Sequence, residues 1–404
     1  MAKARWLSST VVGIGIASFF SDLSHETVTS ILPDFLASAS VLGSVDAAKV
    51  ALGSIEGAAD GLSCAAKLYG GWLADRVQRR KTVCGIGYSV MALAPAIIGA
   101  AVTWPMVLAG RCLAWVSRGL RSPARKALMA DSVPPEFRGR AFGLERAMDT
   151  LGAIAAPLMA AQLIQDGWSQ RGVIYVTAIP ALAAALAIIF LVRESPGRTP
   201  VKRPLLKSLS GFQRDFYEFL VSVGLFGCGD FAKTLYILYA TIMLTPRMGT
   251  TGAAALSMTF YALYNICGAI WSYVGGWLAD RFNKRLMLAV GYAFVAAAVG
   301  CMIAGLESPT ALALIFCLAG TGAAMNEALE DAIAADLVPA DRRGAAYGAL
   351  ALVTGLGDFV SSLLVGWLWR FAGATIAFSL AAGMMLLGIL LVLHLARKTR
   401  PTFR

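Results

Sequence analysis

Long apolar runs alternate with short polar reversals along the whole chain. The runs fall at 10–37, 50–73, 83–102, 105–129, 139–164, 172–193, 216–245, 253–278, 286–306, 309–334, 344–369 and 373–396. About 20 helical residues cross a hydrocarbon core roughly 30 Å thick, so each run predicts one transmembrane helix. Backbone polar groups must be satisfied inside lipid, which favours helices. The alternating ten-residue segments of a β-barrel are missing. The expected fold is an all-α integral membrane protein of twelve transmembrane helices. The first run carries Asp22, His25 and Glu26 and continues without a small-residue cleavage site. It reads as a retained helix and not as a signal peptide.

One long polar stretch, "RESPGRTPVKRPLLKSLSGFQRD" from Arg193 to Asp215, divides the helices six and six. The expected domains are an N-terminal bundle over 1–193, a linker over 194–215 and a C-terminal bundle over 216–404. The two halves repeat one another. "GGWLADRVQRR" from Gly70 returns as "GGWLADRFNKR" from Gly275, and "ADSVPPEFRGRAFG" from Ala130 returns as "ADLVPADRRGAAYG" from Ala335. Both matches have one offset, 276 − 71 = 335 − 130 = 205. Two separate matches in one register mark a duplicated six-helix unit, the parallel-repeat plan of transporters whose substrate site lies between the halves.

Composition agrees with the pattern. Hydrophobic residues make up 58% of the 404 and charged residues 15%, against about 25% charged in soluble domains. The net charge of +11 raises the question of a nucleic-acid partner, and its distribution answers it. An even number of helices puts both termini on one side, and most of the Lys and Arg residues fall there. The opposite loops hold only Lys49, Arg171, Arg247 and Arg370. The positive-inside rule makes the basic side, with both termini, cytoplasmic. No clustered basic domain remains to bind nucleic acid.

The loop G-x-x-x-D-R-x-x-R-R between the second and third helices, echoed between the eighth and ninth, resembles the signature loop of the major facilitator superfamily. "SDLSHETVTSILPDFL" in the first helix resembles a largely uncharacterised group of bacterial permeases within it. The resemblance implies two pseudo-symmetric six-helix bundles, a central cavity lined by helices 1, 4, 7 and 10, and signature loops acting at the cytoplasmic mouth. Gly71 and Gly276 would allow close helix approach, and Asp75 and Asp280 would meet the positive ends of helices starting near Gly344 and Gly139. Arg76, Arg79, Arg80, Arg281 and Arg285 would pair with Asp131, Glu136, Asp336 or Asp341. These residues are the expected cytoplasmic gate; the bland alternative is that the arginines only set topology.

Charges inside membrane segments are costly and usually face a cavity or a partner. Asp22, His25 and Glu26 share one helix face at i, i+3 and i+4. Glu56 and Asp60, then Glu145 and Asp149 beside Arg146, repeat that spacing; the seventh helix offers Asp230 and Lys233, and the eleventh Asp358. Asp22, Glu26 and Asp230 are the leading candidates for a proton or cation site, with His25 as a group that titrates near neutrality. The competing reading makes these acids structural partners of Lys67, Arg111, Arg118, Arg146 or Lys233. The fourth helix carries Arg118, Arg121, Arg125 and Lys126 where the tenth, 205 residues on, carries Ala323, Asn326, Glu330 and Asp331, with Glu327 alongside. This asymmetry suits a gate or a polarised site for a zwitterion, and Arg111 resembles a buried arginine of the family. Lys233 and Glu327 complete the candidate site.

Proton-exchanging exporters of the family carry a glycine- and proline-rich fifth helix. "AMDTLGAIAAPLMAA" keeps Gly152 and Pro157, which leans the expectation toward efflux, but departs from that pattern with alanine at other glycine positions; a bend is expected at Pro157. No G-x-x-x-x-G-K-[ST] phosphate loop and no G-x-S-x-G elbow occur. His25 and His394 lie far apart, and the seven cysteines are scattered within helices as small apolar residues. No enzyme activity, cofactor or metal is expected. The reading is a monomeric secondary transporter moving a small solute with protons. The alternatives are uptake of an organic anion or metabolite, and a non-transporting sensor or assembly protein on this fold.

Overall fold

The structure, a computed structural model, describes residues 7–38, 40–76, 79–134, 137–194, 211–279, 282–338 and 343–398. Asp280 and Arg281, and the side chains of Gly71, Asp75, Arg76 and Gly276, lie outside the described residues, as do Glu136 and Asp341. The described residues form helices and contain no strand. They are α1 (Ser9–Ala37), α2 (Val45–Arg76), α3 (Arg80–Met91), α4 (Ala94–Gly99), α5 (Trp104–Asp131), α6 (Arg138–Gln165), α7 (Gln170–Val176) and α8 (Ala178–Leu191). The second half of the chain contains α9 (Arg214–Gly227), α10 (Lys233–Ala279), α11 (Lys284–Ile303), α12 (Pro309–Leu337), α13 (Arg343–Phe371) and α14 (Ala374–Lys398).

These elements make up twelve spans. α3 with α4 forms the third and α7 with α8 the sixth. α9 and the first part of α10 form the seventh span and the rest of α10 the eighth, because Gly249 at φ 74° turns the chain within α10, just after Pro246. Only glycine takes that left-handed backbone at no steric cost. Eight helical stretches among the described residues are long and apolar enough to cross a membrane. Three spans, α1, α2 and α5, fall short because they carry polar and charged positions.

The chain divides into two compact units. Unit 1 holds residues 1–43 and 62–203, and unit 2 holds 44–61 and 204–404. In unit 1, α1 packs along α6 and α8, and α3 lies against α5. Its apolar core joins Val11, Ile14 and Ala17 of α1 to Cys84 and Tyr88 of α3, Ala124 and Leu128 of α5 and Ile188 of α8. The Ser8 hydroxyl caps α1 by accepting from the Val11 amide at 3.3 Å, which satisfies one of the donors a helix start leaves open.

In unit 2, α12 packs between α10 and α11, and α14 lies against α9 and α11. Asn283 caps α11 by accepting from the Arg285 and Leu286 amides. The seventh span, expected as one helix over 216–245, is interrupted between Gly227 and Lys233. The break is stable because α13 supplies the missing partners. The Ser361 hydroxyl donates to the Asp230 carbonyl at 2.7 Å, and the Ser362 hydroxyl accepts from the Ala232 amide at 3.0 Å. Irregular backbone at membrane depth is tolerated where other parts of the protein satisfy it.

Candidate functional site

Within unit 1 the polar face of α1 meets the arginine face of α5. Arg111, Arg118 and Arg125 follow one another at seven-residue spacing, two helical turns, so the three rise along one side of α5. Arg118 holds Asp22, with Nη1 3.1 Å from Oδ1 and Nη2 donating to Oδ2 at 3.3 Å. The contact combines one hydrogen bond with an ion pair. Glu26, one turn further along α1, is also buried and acts electrostatically on Arg118.

Arg111 is 1% exposed and donates to the Thr29 hydroxyl at 2.9 Å. Thr29 in turn donates to the His25 carbonyl at 2.9 Å, so the hydroxyl is fixed as acceptor for the arginine. Trp115 sits among these groups. His25 meets it edge to face at 4.7 Å, and the guanidinium carbons of Arg111 and Arg118 lie 5.6 and 5.8 Å from its ring centroid. Cations near an indole face are attracted by its quadrupole. A cavity of about 10 Å³ opens beside His25 and Arg111, lined also by Ser24, Met91 and Ala114. That volume suits at most one water.

The sequence reading overlooked Arg125 as the centre of this network. Its Nη1 donates to the Ser18 hydroxyl at 2.7 Å and to Tyr88 at 3.1 Å, and its Nη2 lies 2.7 Å from Glu145 and 3.7 Å from Asp149. Four elements, α1, α3, α5 and α6, meet at one guanidinium. Arg121 is equally enclosed, donating to the Ser21 hydroxyl at 2.6 Å and to the Met91 sulfur, with Tyr88 beneath it at 3.7 Å. The serines at 18 and 21 stand on the α1 face that carries Asp22 and were the available signal. Gly152 of α6 lies against the Phe19 carbonyl of α1, where any side chain would collide. That contact brings the α6 acids within reach of Arg125. Pro157 lies inside α6 without ending it.

In unit 2, Asp230 lies in the break of the seventh span, half-buried, and the Lys233 ammonium sits 5.3 Å from the Tyr261 ring. Glu327 is exposed. The buried acid on α12 is instead Glu330, whose Oε1 accepts from the Tyr292 hydroxyl at 2.7 Å.

The expected gate residues that are described fall into local pairs. Arg80 pairs with Asp131 in unit 1, and Lys284 pairs with Asp336 at 2.6 Å in unit 2. The acids are repeat equivalents, whereas the base shifts by one residue, because Arg285 donates instead to the Leu395 carbonyl at the end of α14, 2.8 Å away. Arg79 is exposed.

The sequence model of the Major Facilitator Superfamily matches residues 14–326 and 251–404. An uncharacterised MFS-type transporter of Methanocaldococcus jannaschii is 27% identical over 367 residues, covering 91% of this chain and 90% of that protein. A cis,cis-muconate transport protein of Acinetobacter baylyi is 25% identical, covering 82% and 78%. The multidrug resistance protein MdtH of Photorhabdus laumondii is 26% identical, covering 75% and 73%. With a duplicated six-helix plan, twelve spans and a match over nearly the whole chain, this protein belongs to the Major Facilitator Superfamily of membrane transporters.

Proposed function

We propose that this transporter moves a small solute by alternating access, that the movement is coupled to protons, and that it runs in the efflux direction from a bacterial inner membrane with both termini cytoplasmic. The observation that carries the coupling is the Asp22–Arg118 contact inside the bundle of unit 1. Desolvating two charges in a membrane segment adds nothing to stability that apolar packing would not supply. Such a pair is useful where protonation of the acid, or a competing charge on the solute, breaks it and releases α1 from α5. Glu26 and His25 on the same face give the released proton nearby acceptors.

The efflux direction is supported by the retained Gly152 and Pro157 and by similarity to a multidrug resistance protein. A second reading, uptake of an organic anion, is favoured by the fully buried Arg111 beside Trp115 and by similarity to a cis,cis-muconate transport protein. The Arg80–Asp131 and Lys284–Asp336 pairs, with the signature loops, form the proposed cytoplasmic gate.

The test uses purified protein in proteoliposomes containing a pH-sensitive dye, under an imposed proton gradient, with a panel of lipophilic cations and dicarboxylates. A panel member is expected to drive proton movement in the wild type and not in Asp22→Asn. Proton movement unchanged by that substitution overturns the coupling proposal, and the sign of the movement separates efflux from uptake.

A further inference from the structure

Unit 2 contains a buried acid arranged unlike those of unit 1. Asp22 and Glu145 are each held by a guanidinium. Glu330, 8% exposed, has no cation within ion-pair distance among the described residues. The cations on helices packed against α12 are engaged elsewhere: Lys233 over Tyr261, Lys284 with Asp336, and Arg285 on the Leu395 carbonyl. α13 brings Asp358 and Arg370, and Arg370 pairs with Asp46. The other groups acting on Glu330 are acids, namely Asp230 in the break of the seventh span and Asp331 and Glu327 on its own helix.

Its hydrogen-bond surroundings are fixed. The Tyr292 ring stacks on Phe226 of α9 at 3.6 Å and 4°, which holds the hydroxyl against Glu330 Oε1. One turn earlier on the same face of α12, Asn326 is 5% exposed, and neither its side-chain nitrogen nor its oxygen has a hydrogen-bond partner. Its amide occupies the space left by Gly291, where a Cβ would collide with it. A neutral carboxyl both donates and accepts, whereas a carboxylate only accepts. A buried carboxyl with one phenol donor and no cation among the described residues suits the neutral form, because an unpaired buried charge is strongly penalised.

From this we propose that Glu330 carries a transported proton, with Tyr292 as its positioning partner. The assignment rests on the proton-coupled reading above and adds a proton-bearing acid in unit 2 to the Asp22–Arg118 pair of unit 1. The broken seventh span brings Asp230 near the proton-bearing group. Protonation at Glu330 removes the penalty of an unpaired buried charge while Oε1 still accepts from the Tyr292 hydroxyl. Release of the proton leaves an unpaired carboxylate that draws in water or a cationic group of the solute.

The experiment is pH-difference infrared spectroscopy of the full-length protein in lipid vesicles, with no solute added. Wild type is expected to show the carbonyl stretch of a protonated carboxyl that is lost as the pH is raised. Glu330→Gln removes this band, Tyr292→Phe shifts it because one hydrogen bond is lost, and Asp22→Asn leaves it in place. A band that persists in Glu330→Gln overturns the proposal, as does its absence from the wild type or an unshifted band in Tyr292→Phe. If Glu330→Gln does not fold, Tyr292→Phe decides alone, since it retains the carboxyl. The readout needs no flux. A correct band pattern with no solute-driven proton movement therefore sinks the coupling reading alone, and coupled movement with the wrong band pattern sinks this assignment alone.

Discussion

Arg118 of α5 reaches both carboxylate oxygens of Asp22 on α1, at 3.1 and 3.3 Å, in the interior of unit 1. Asp22 is 6% exposed, so removing either partner strands a charge. Asp22→Leu and Arg118→Leu are each expected to lower stability by about 3–5 kcal/mol, and the double substitution by clearly less than their sum. Denaturation of the purified protein in detergent measures all four corners of the cycle. Additive losses would show that the pair is not coupled.

Arg125 joins four elements through Ser18, Tyr88, Glu145 and Asp149. Lysine keeps the charge and loses the fork, so it cannot reach these partners together. Arg125→Lys is expected to cost about 2 kcal/mol, the scale of one or two charge-assisted hydrogen bonds, and to raise backbone exchange in α1 and α6. Hydrogen-exchange mass spectrometry reports both, and an unchanged profile would make the network incidental.

The interruption of the seventh span depends on two hydroxyls of α13. Ser361→Ala and Ser362→Ala each leave one backbone group of the break unsatisfied and are expected to cost about 1–3 kcal/mol. Their effect is local, appearing as faster amide exchange over residues 228–232. If exchange there stays as slow as in the wild type, other partners carry the break.

A pH dependence is expected at the start of α2, ahead of the predicted membrane segment. The Lys49 ammonium, by hydrogen bond and charge, and then Arg370 hold Asp46 below its usual pKa of 3.8. Because the folded value is depressed, the contribution to stability is present above the unfolded pKa and is lost as pH falls through the folded value. Asp46→Asn is expected to melt slightly lower than wild type at pH 7, with the gap closing below about pH 4. The effect is small because the group is exposed. A gap independent of pH would remove the ion pair as its cause.

The spans, the duplicated plan and the superfamily were legible in the chain itself. A hydrophobic run of bilayer length has one stable backbone solution in lipid, and an offset of 205 residues survives in sequence without reference to any contact. The candidate site was legible only as a set of residue types. Membrane burial demands partners for Asp22, Arg118 and Arg125, but which partner each takes depends on helix packing, such as the approach of α6 to α1 at Gly152. Tertiary structure likewise decided the break before Lys233, since Ser361 and Ser362 lie some 130 residues away and satisfy its backbone only when α13 is in place. It also separated Glu330 from its exposed neighbour Glu327 on α12. Three residues along a helix leave two side chains only about 60° apart, so the spacing does not tell them apart, and the packing of Tyr292, Gly291 and Phe226 decides that Glu330 is the one enclosed.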